Sequence, residues 1–168
     1  KEIDQLLSSI PQGVTLIKIP WRTVLFGGEL RHGRYSAPQG KLFFRQGASF
    51  KDRTVHETLL LPHEKSVTTK AGLLHYSWRD FTHLQEKHLK YAQLMADQKF
   101  CDGKRSTVGY ALLRLFADFL QQYVLRLGFL DGWRGLLMAV VLGQYAFNKY
   151  AALAVLTNRN GGGRSRRG

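Results

Sequence analysis

The chain has 168 residues, 44% of them hydrophobic, which is enough for one domain with a sizeable core. Its formal charge of +13 implies an anionic partner, either a nucleic acid or an anionic membrane face, with a solvated surface plus a basic disordered tail as the other reading. The single cysteine, Cys101, excludes an internal disulfide and fits a reducing compartment.

Apolar residues at Ile3, Leu6 and Leu7 predict a short amphipathic helix over residues 1–10, stopped by Pro11-Gln12-Gly13. A chain that opens inside a helix on Lys1 reads as a fragment. Residues 14–19 alternate loosely and predict a strand, which continues past Pro20 over residues 21–26. Gly27-Gly28 marks a turn or a close backbone approach. Residues 33–40 read as loop. Residues 41–45 and 50–62 read as a pair of strands, the second short and mostly buried because Val55 and Leu59 to Leu61 are β-branched or apolar and Pro62 closes the run. Residues 63–65 form a turn, and 66–69 and 72–76 are strand-like.

From Asp80, a plausible N-cap, the period changes to that of a helix. Phe81, Leu84, His88, Tyr91 and Leu94 share a face, and this helix should reach about residue 99. A polar connector over residues 101–105 leads to a second helix over 107–127, whose apolar arc is wider than one buried face needs; Gly128 ends it. A third helix covers 133–156. Residues 158–168 are a glycine- and arginine-rich tail that reads as disordered. His83 and His88, five apart, share a helix face poorly and read as surface.

Common catalytic signatures are missing. There is no Gly-x-Ser-x-Gly, Walker A loop, His-Glu-x-x-His or Cys-x-x-Cys, and no Asp-x-Asp. What remains is a set of polar groups at strand boundaries. His56 and Glu57 stand side by side at the start of an apolar run, and His75 ends the last strand. A buried charge is costly unless it is paired or used. Polar groups at strand ends are also where α/β enzymes keep their chemistry.

These residues carry a resemblance. Val55-His56-Glu57, then His75-Tyr76-Ser77-Trp78-Arg79-Asp80, then Leu130-Asp131-Gly132-Trp133-Arg134-Gly135 resemble the C-terminal half of family 2 glycosyltransferases of the lipopolysaccharide-core glucosyltransferase type. Arg31-His32-Gly33 and Lys41-Leu42-Phe43-Phe44-Arg45 match as well, and the likeness runs from about residue 19 to 156. The pattern departs at Arg34-Tyr35, where a second glycine or a tryptophan is usual, and at Lys41, where arginine is usual.

The resemblance implies an α/β chain: the C-terminal half of a GT-A-type nucleotide-diphospho-sugar transferase fold, with a short mixed sheet, then three helices. Residues 1–79 would be the acceptor-side half, 80–157 a helical region and 158–168 the tail. The nucleotide-binding half and its Asp-x-Asp would lie upstream, so this part by itself would be inactive. Glu57 would be the general base of an inverting transfer, taking the acceptor hydroxyl's proton. His75 would be a ligand to a divalent cation, Mg or Mn, held jointly with the N-terminal half. Arg31, His32, Arg45, His56, Tyr76 and Arg79 would line a pocket for a diphosphate or a phosphorylated acceptor. On the residues alone other roles stay open. Glu57 could pair with Arg53 or a lysine at a strand edge, His75 could be a structural histidine under the next helix, and each of the six could be a surface residue.

The implied partners are a nucleotide-sugar donor and a lipid-linked glycan acceptor. The implied place is the cytoplasmic face of the bacterial inner membrane, held peripherally. The last two helices carry much apolar surface, but Gln144, Asn148 and Lys149 interrupt a span of about 20 residues. A helix lying in the interface fits better, with its apolar face on lipid and Trp133, Tyr145 and Tyr150 at headgroup level. A soluble helical hairpin is the other reading. No nucleic acid is expected, because the basic residues form no recognisable reader element. The alternative function is a non-catalytic basic module that binds membrane or nucleic acid.

Overall fold

The computed structural model describes Ser8 and residues 10–51, 58–61, 65–70 and 72–161. The expected helix over residues 1–10 lies almost wholly outside these residues. The chain is mixed α/β, with small sheets followed by three long helices among the described residues. The strands are β1 (Leu16–Ile19), β2 (Trp21–Leu25), β3 (Gly28–Leu30), β4 (Gln39–Phe43), β5 (Ser49–Lys51), β6 (Thr58–Leu60), β7 (Ser66–Thr68) and β8 (Leu73–Tyr76). The helices are α1 (Phe81–Cys101), α2 (Val108–Leu120) and α3 (Gly132–Gly161).

Two three-stranded sheets have the same plan, β4-β1-β7 and β3-β2-β8. In each, the central strand pairs antiparallel on one side and parallel on the other. Pro20 separates β1 from β2, and a proline nitrogen cannot donate to a ladder. The Pro20 carbonyl still accepts from the Leu73 amide at 3.0 Å, and the Lys18 carbonyl from Thr69 at 3.0 Å. The central strands of the two sheets are thus consecutive in the chain, interrupted at Pro20, with hydrogen bonds to the same neighbouring segment on either side of it. Gly27, at φ +79, makes the turn from β2 into β3, and the three-residue β3 is too short to leave a pattern in the sequence.

Residues 50–62 differ from expectation. They hold two strands, β5 and β6, paired antiparallel to each other with Phe50 opposite Leu59. They do not form one strand beside residues 41–45; β4 pairs with β1 instead. Nor is the run mostly buried where it is described: Phe50 is 56% exposed and Leu60 46%. Apolar content alone cannot tell a buried strand from an exposed hairpin.

The core lies between the helix-facing side of β2 and β3 and helices α1 and α3. Leu25, Leu30, Trp78, Leu84, Met138 and Leu142 pack together there. Asp80 caps α1 as expected, its carboxylate accepting from the His83 amide at 2.7 Å. Buried positions on α1 fall at Leu84, His88, Ala92 and Ala96, a stripe of i+4 steps, while Phe81 and Tyr91 are exposed. Thr107 caps α2, accepting from the Tyr110 amide at 3.2 Å. After Leu120 the chain passes through a π-helical turn, Gln121–Leu125, and ends on Leu127 in the left-handed region at φ +57. Gly128 follows and stops the helix as expected.

α3 runs to Gly161, past the expected end and into the start of the tail. It packs on both α1 and α2. Small residues allow close contact: a Cβ at Gly143 would sit 2.9 Å from the Leu115 carbonyl oxygen. The stretch Gly128–Arg159 is long and apolar enough to cross a bilayer by length and composition. Much of that apolarity faces protein, because Met138, Ala139, Val141, Ala146, Leu153 and Ala154 are buried.

Candidate functional site

Side chains alternate across a strand, so Trp21, Thr23 and Leu25 share the face of β2 that meets the helices. Thr23 pairs with His75 across the parallel ladder, which puts His75 on that same face. The His75 imidazole stacks on Trp21, centroids 3.9 Å apart and planes 21° apart. The Lys41 ammonium lies 4.4 Å above the Trp21 ring. Ser77 Oγ is hydrogen-bonded to His75 Nδ1. Partial burial, then the nearby Lys87 and Lys41, holds the imidazole below the ordinary histidine range.

This face opens into a cleft of about 590 Å³ between the sheet, α1 and α3. Its walls are aromatic, with Trp21, Tyr35, Trp78 and Tyr145, and its cations are Arg34, Lys87 and Lys149. No carboxylate lines it among the described residues. Such a cleft suits a ligand with one flat, partly apolar face and a negative charge.

Behind it runs a polar relay. His88 Nδ1 donates to the Leu84 carbonyl at 2.8 Å, which leaves Nε2 to accept the Tyr35 hydroxyl at 3.0 Å. Burial lowers the His88 pKa and pushes the Tyr35 hydroxyl up to about 12. The neutral tautomer thus satisfies both buried groups. His88 is therefore a buried residue, not the surface histidine expected, whereas His83 belongs to the cap of α1. A histidine held below its unfolded value binds its proton later than the unfolded chain does. Folding stability is expected to fall as pH drops below about 6.5, the ordinary histidine value. Urea titrations at several pH values should show a shallower acid-side slope in His88→Gln than in the wild type.

Of the residues singled out from the sequence, His75 lines the cleft. His56 and Glu57 lie outside the described residues. Tyr76 follows His75 and so points to the opposite face, 74% exposed. Arg79 is exposed, and its amide donates to His83 Nδ1 at 3.3 Å. Arg45 is exposed in the turn between β4 and β5, where its carbonyl accepts from Ala48. Arg31 and His32 are held elsewhere, by Asp131. Its carboxylate accepts from the Arg31 amide at 3.2 Å, the His32 amide at 3.0 Å and His32 Nδ1 at 2.9 Å.

Asp131 belongs to the Leu130–Gly135 motif, and the rest of that motif is also structural in its contacts. Arg134 donates to the carbonyls of Leu25 and Phe26 at 3.0 and 3.1 Å. A Cβ at Gly28 would collide with that guanidinium at 2.4 Å, the close approach anticipated for Gly27-Gly28. Gly135 lies against the Gly128 carbonyl, where a Cβ would come within 1.8 Å. Asp131 thus fastens the loop after β3, and Arg134 the turn between β2 and β3, to the start of α3.

The cleft residues that sequence reasoning missed are Arg34, Tyr35, Lys87, Tyr145 and Lys149. No motif joins them, since a 3₁₀ turn at Arg34–Ser36, α1 and α3 each supply some. For a metal, His75 can give one nitrogen, Nε2, since Nδ1 is engaged by Ser77. No group of three or more histidine, cysteine or acidic side chains meets there among the described residues. The remaining ligands of any cation at His75 would have to come from elsewhere.

The structure also carries a broad exposed apolar surface. On α2 it includes Leu112, Leu113, Phe116 (63% exposed) and Leu120. It continues over Leu125 (77% exposed), Leu127, Phe129 and Leu130 to Trp133 and Leu136 on α3. Arg126 and Arg31 are exposed at one end, Lys104 and Arg105 at the other. Of the tyrosines expected at a lipid headgroup level, Tyr145 lines the cleft and Tyr150 is half-buried. Tyr145 meets His88 at 5.9 Å and Tyr150 meets Tyr110 at 5.0 Å. After α1, exposed large apolar side chains are more frequent on α2 and the turn than along α3, where Trp133, Leu136, Val140 and Val155 are exposed. No protein-family model and no solved structure matches the chain.

Proposed function

We propose that the chain is the acceptor-side part of an inverting glycosyltransferase with a GT-A-type fold. It would transfer a sugar from a nucleotide-sugar donor to a lipopolysaccharide-core or similar lipid-linked glycan, at the cytoplasmic face of the bacterial inner membrane. The observation that carries this reading is the cleft floored by the Trp21–His75 stack, aromatic in its walls and cationic at its edge. A saccharide packs its C–H face on such a ring, and phosphate oxygens take the cations.

In this mechanism the acceptor oxygen attacks the anomeric carbon, the nucleoside diphosphate departs, and Glu57 takes the hydroxyl proton. A divalent cation, when bound, would neutralise charge on the leaving diphosphate. Trp21 would orient the acceptor ring. Arg34 and Lys87 would hold its charge, and the helices would keep bulk water from one side of the cleft.

The test uses a chain that carries the nucleotide-binding half in front of this one. Glu57→Gln should leave far-UV circular dichroism and the unfolding midpoint unchanged while lowering transfer by at least about a thousandfold. A folded Gln variant that retains transfer would remove Glu57 from the mechanism. The exposed apolar surface favours a second reading, a membrane-binding module without catalysis. That reading gains if no nucleotide sugar is consumed by any form of the protein that binds bilayers.

A further inference from the structure

Arg34, Lys87 and Lys149 all border the cleft, and among the described residues none of the three forms an ion pair. Lys149 reaches between two rings, 4.9 Å from the Tyr145 centroid and 5.0 Å from Tyr150. The acid nearest in effect, Asp118, is already held by Arg114 at 2.7 Å. Burial pushes the Lys149 ammonium down to about 8, with the Asp118 charge opposing that shift only in part. Arg34 is exposed and Lys87 half-buried, so the cost of burying charge falls mainly on Lys149; what favours an anion is that three cations and no carboxylate line one cavity among the described residues. The sheet side of the cleft is different in kind: Trp21 and His75 are stacked there, an aromatic pair against which a ring can pack.

We propose that the cationic side of this cleft is a phosphate subsite, and that the cleft as a whole binds a phosphorylated saccharide with its ring against the Trp21–His75 pair and its phosphate on Arg34, Lys87 and Lys149. As a part of sugar transfer the subsite rests on the acceptor-side reading above; the binding itself needs no donor. A phosphate dianion fits better than a single carboxylate because three cations share it, and Arg34 can bind two of its oxygens at once. A neutral sugar would leave the cations uncompensated, and inorganic phosphate would leave the aromatic wall bare.

The test is a titration of the ¹⁵N-labelled chain with four probes: a hexose 6-phosphate, the neutral hexose, inorganic phosphate and uridine 5′-phosphate. The three tryptophans give an internal control, since Trp21 and Trp78 line the cleft and Trp133 lies on the outer turn. The hexose phosphate should shift the Trp21 and Trp78 indole signals, leave Trp133 unmoved, and bind at least about tenfold more tightly than hexose or phosphate alone. Lys149→Gln and Arg34→Gln should each remove most of that advantage, while Lys90→Gln, on the exposed side of α1, should not. Hexose binding as tightly as its phosphate, or no shift with any probe, overturns the subsite. Inorganic phosphate equal to the sugar phosphate removes the saccharide, and a tighter uridine phosphate reassigns the cleft to a nucleotide. Because no donor is present, failure here is distinct from failure of the glycosyltransferase reading, which the Glu57→Gln assay decides.

Discussion

Asp131→Ala is expected to cost about 3 kcal/mol of folding stability, a large share of what a domain of this size has. The Asp131 side chain is 4% exposed and accepts three hydrogen bonds, two from backbone amides and one from the His32 ring. Removing an acceptor strands its donors, and a buried donor left without a partner costs roughly 1–3 kcal/mol. The exposed position of Arg31 lets water recover part of that loss. Asp131→Asn should cost less, since its one carbonyl can serve two of the three donors but not all. Urea unfolding followed by circular dichroism is the measurement. A loss below about 1 kcal/mol for the alanine variant would mean that the turn before α3 is held by Arg134 and Gly135 alone.

The second large effect concerns the apolar surface. Phe116→Glu combined with Leu130→Glu should weaken binding to anionic vesicles by at least about a hundredfold. Each buried Phe or Leu side chain is worth roughly 1.5–3 kcal/mol against water, and 1.4 kcal/mol is a factor of ten. The glutamates also place negative charge against anionic headgroups. Both side chains are exposed, so folding should be preserved. The wild-type chain should sediment with phosphatidylglycerol vesicles and not with phosphatidylcholine, and less as salt rises, given its charge of +13. A double variant that still sediments in full would move the contact elsewhere. A variant that loses a self-associated state instead would make the surface an interface between copies.

Much of the helical half is legible in the sequence, because capping and period are local properties. Asp80, Thr107 and Gly128 mark boundaries the structure keeps. The strand half is harder. Nothing local separates Phe50 and Leu59 as facing members of a hairpin from members of one buried strand, since pairing is decided by partners distant in sequence. The site divides in the same way. His75 stands out because it ends an apolar run before a cap. His88 hides in a helical face as an ordinary member of the stripe, and Lys149 reads as an interruption in an apolar helix. Their roles arise when β2, α1 and α3 come together. The Leu130–Gly135 motif carries the opposite lesson. A stretch that looks like a recognition signature serves here to fasten a loop.

That fastening has a consequence for how the turn can change. Arg134 and Gly135 meet backbone carbonyls, and Asp131 meets two amides, so most of the anchoring is indifferent to which side chains surround it. Leu125 and Leu130 face outward and make none of those contacts, Phe129 leans on the Tyr123 ring, and Trp133 alone touches the lock, its ring 4.6 Å from the Arg134 guanidinium. The outward pair can be exchanged as a unit without retuning the scaffold. One frame could thus be refitted for bilayers of different headgroup composition by altering a few external positions, with the cleft behind it left as it is.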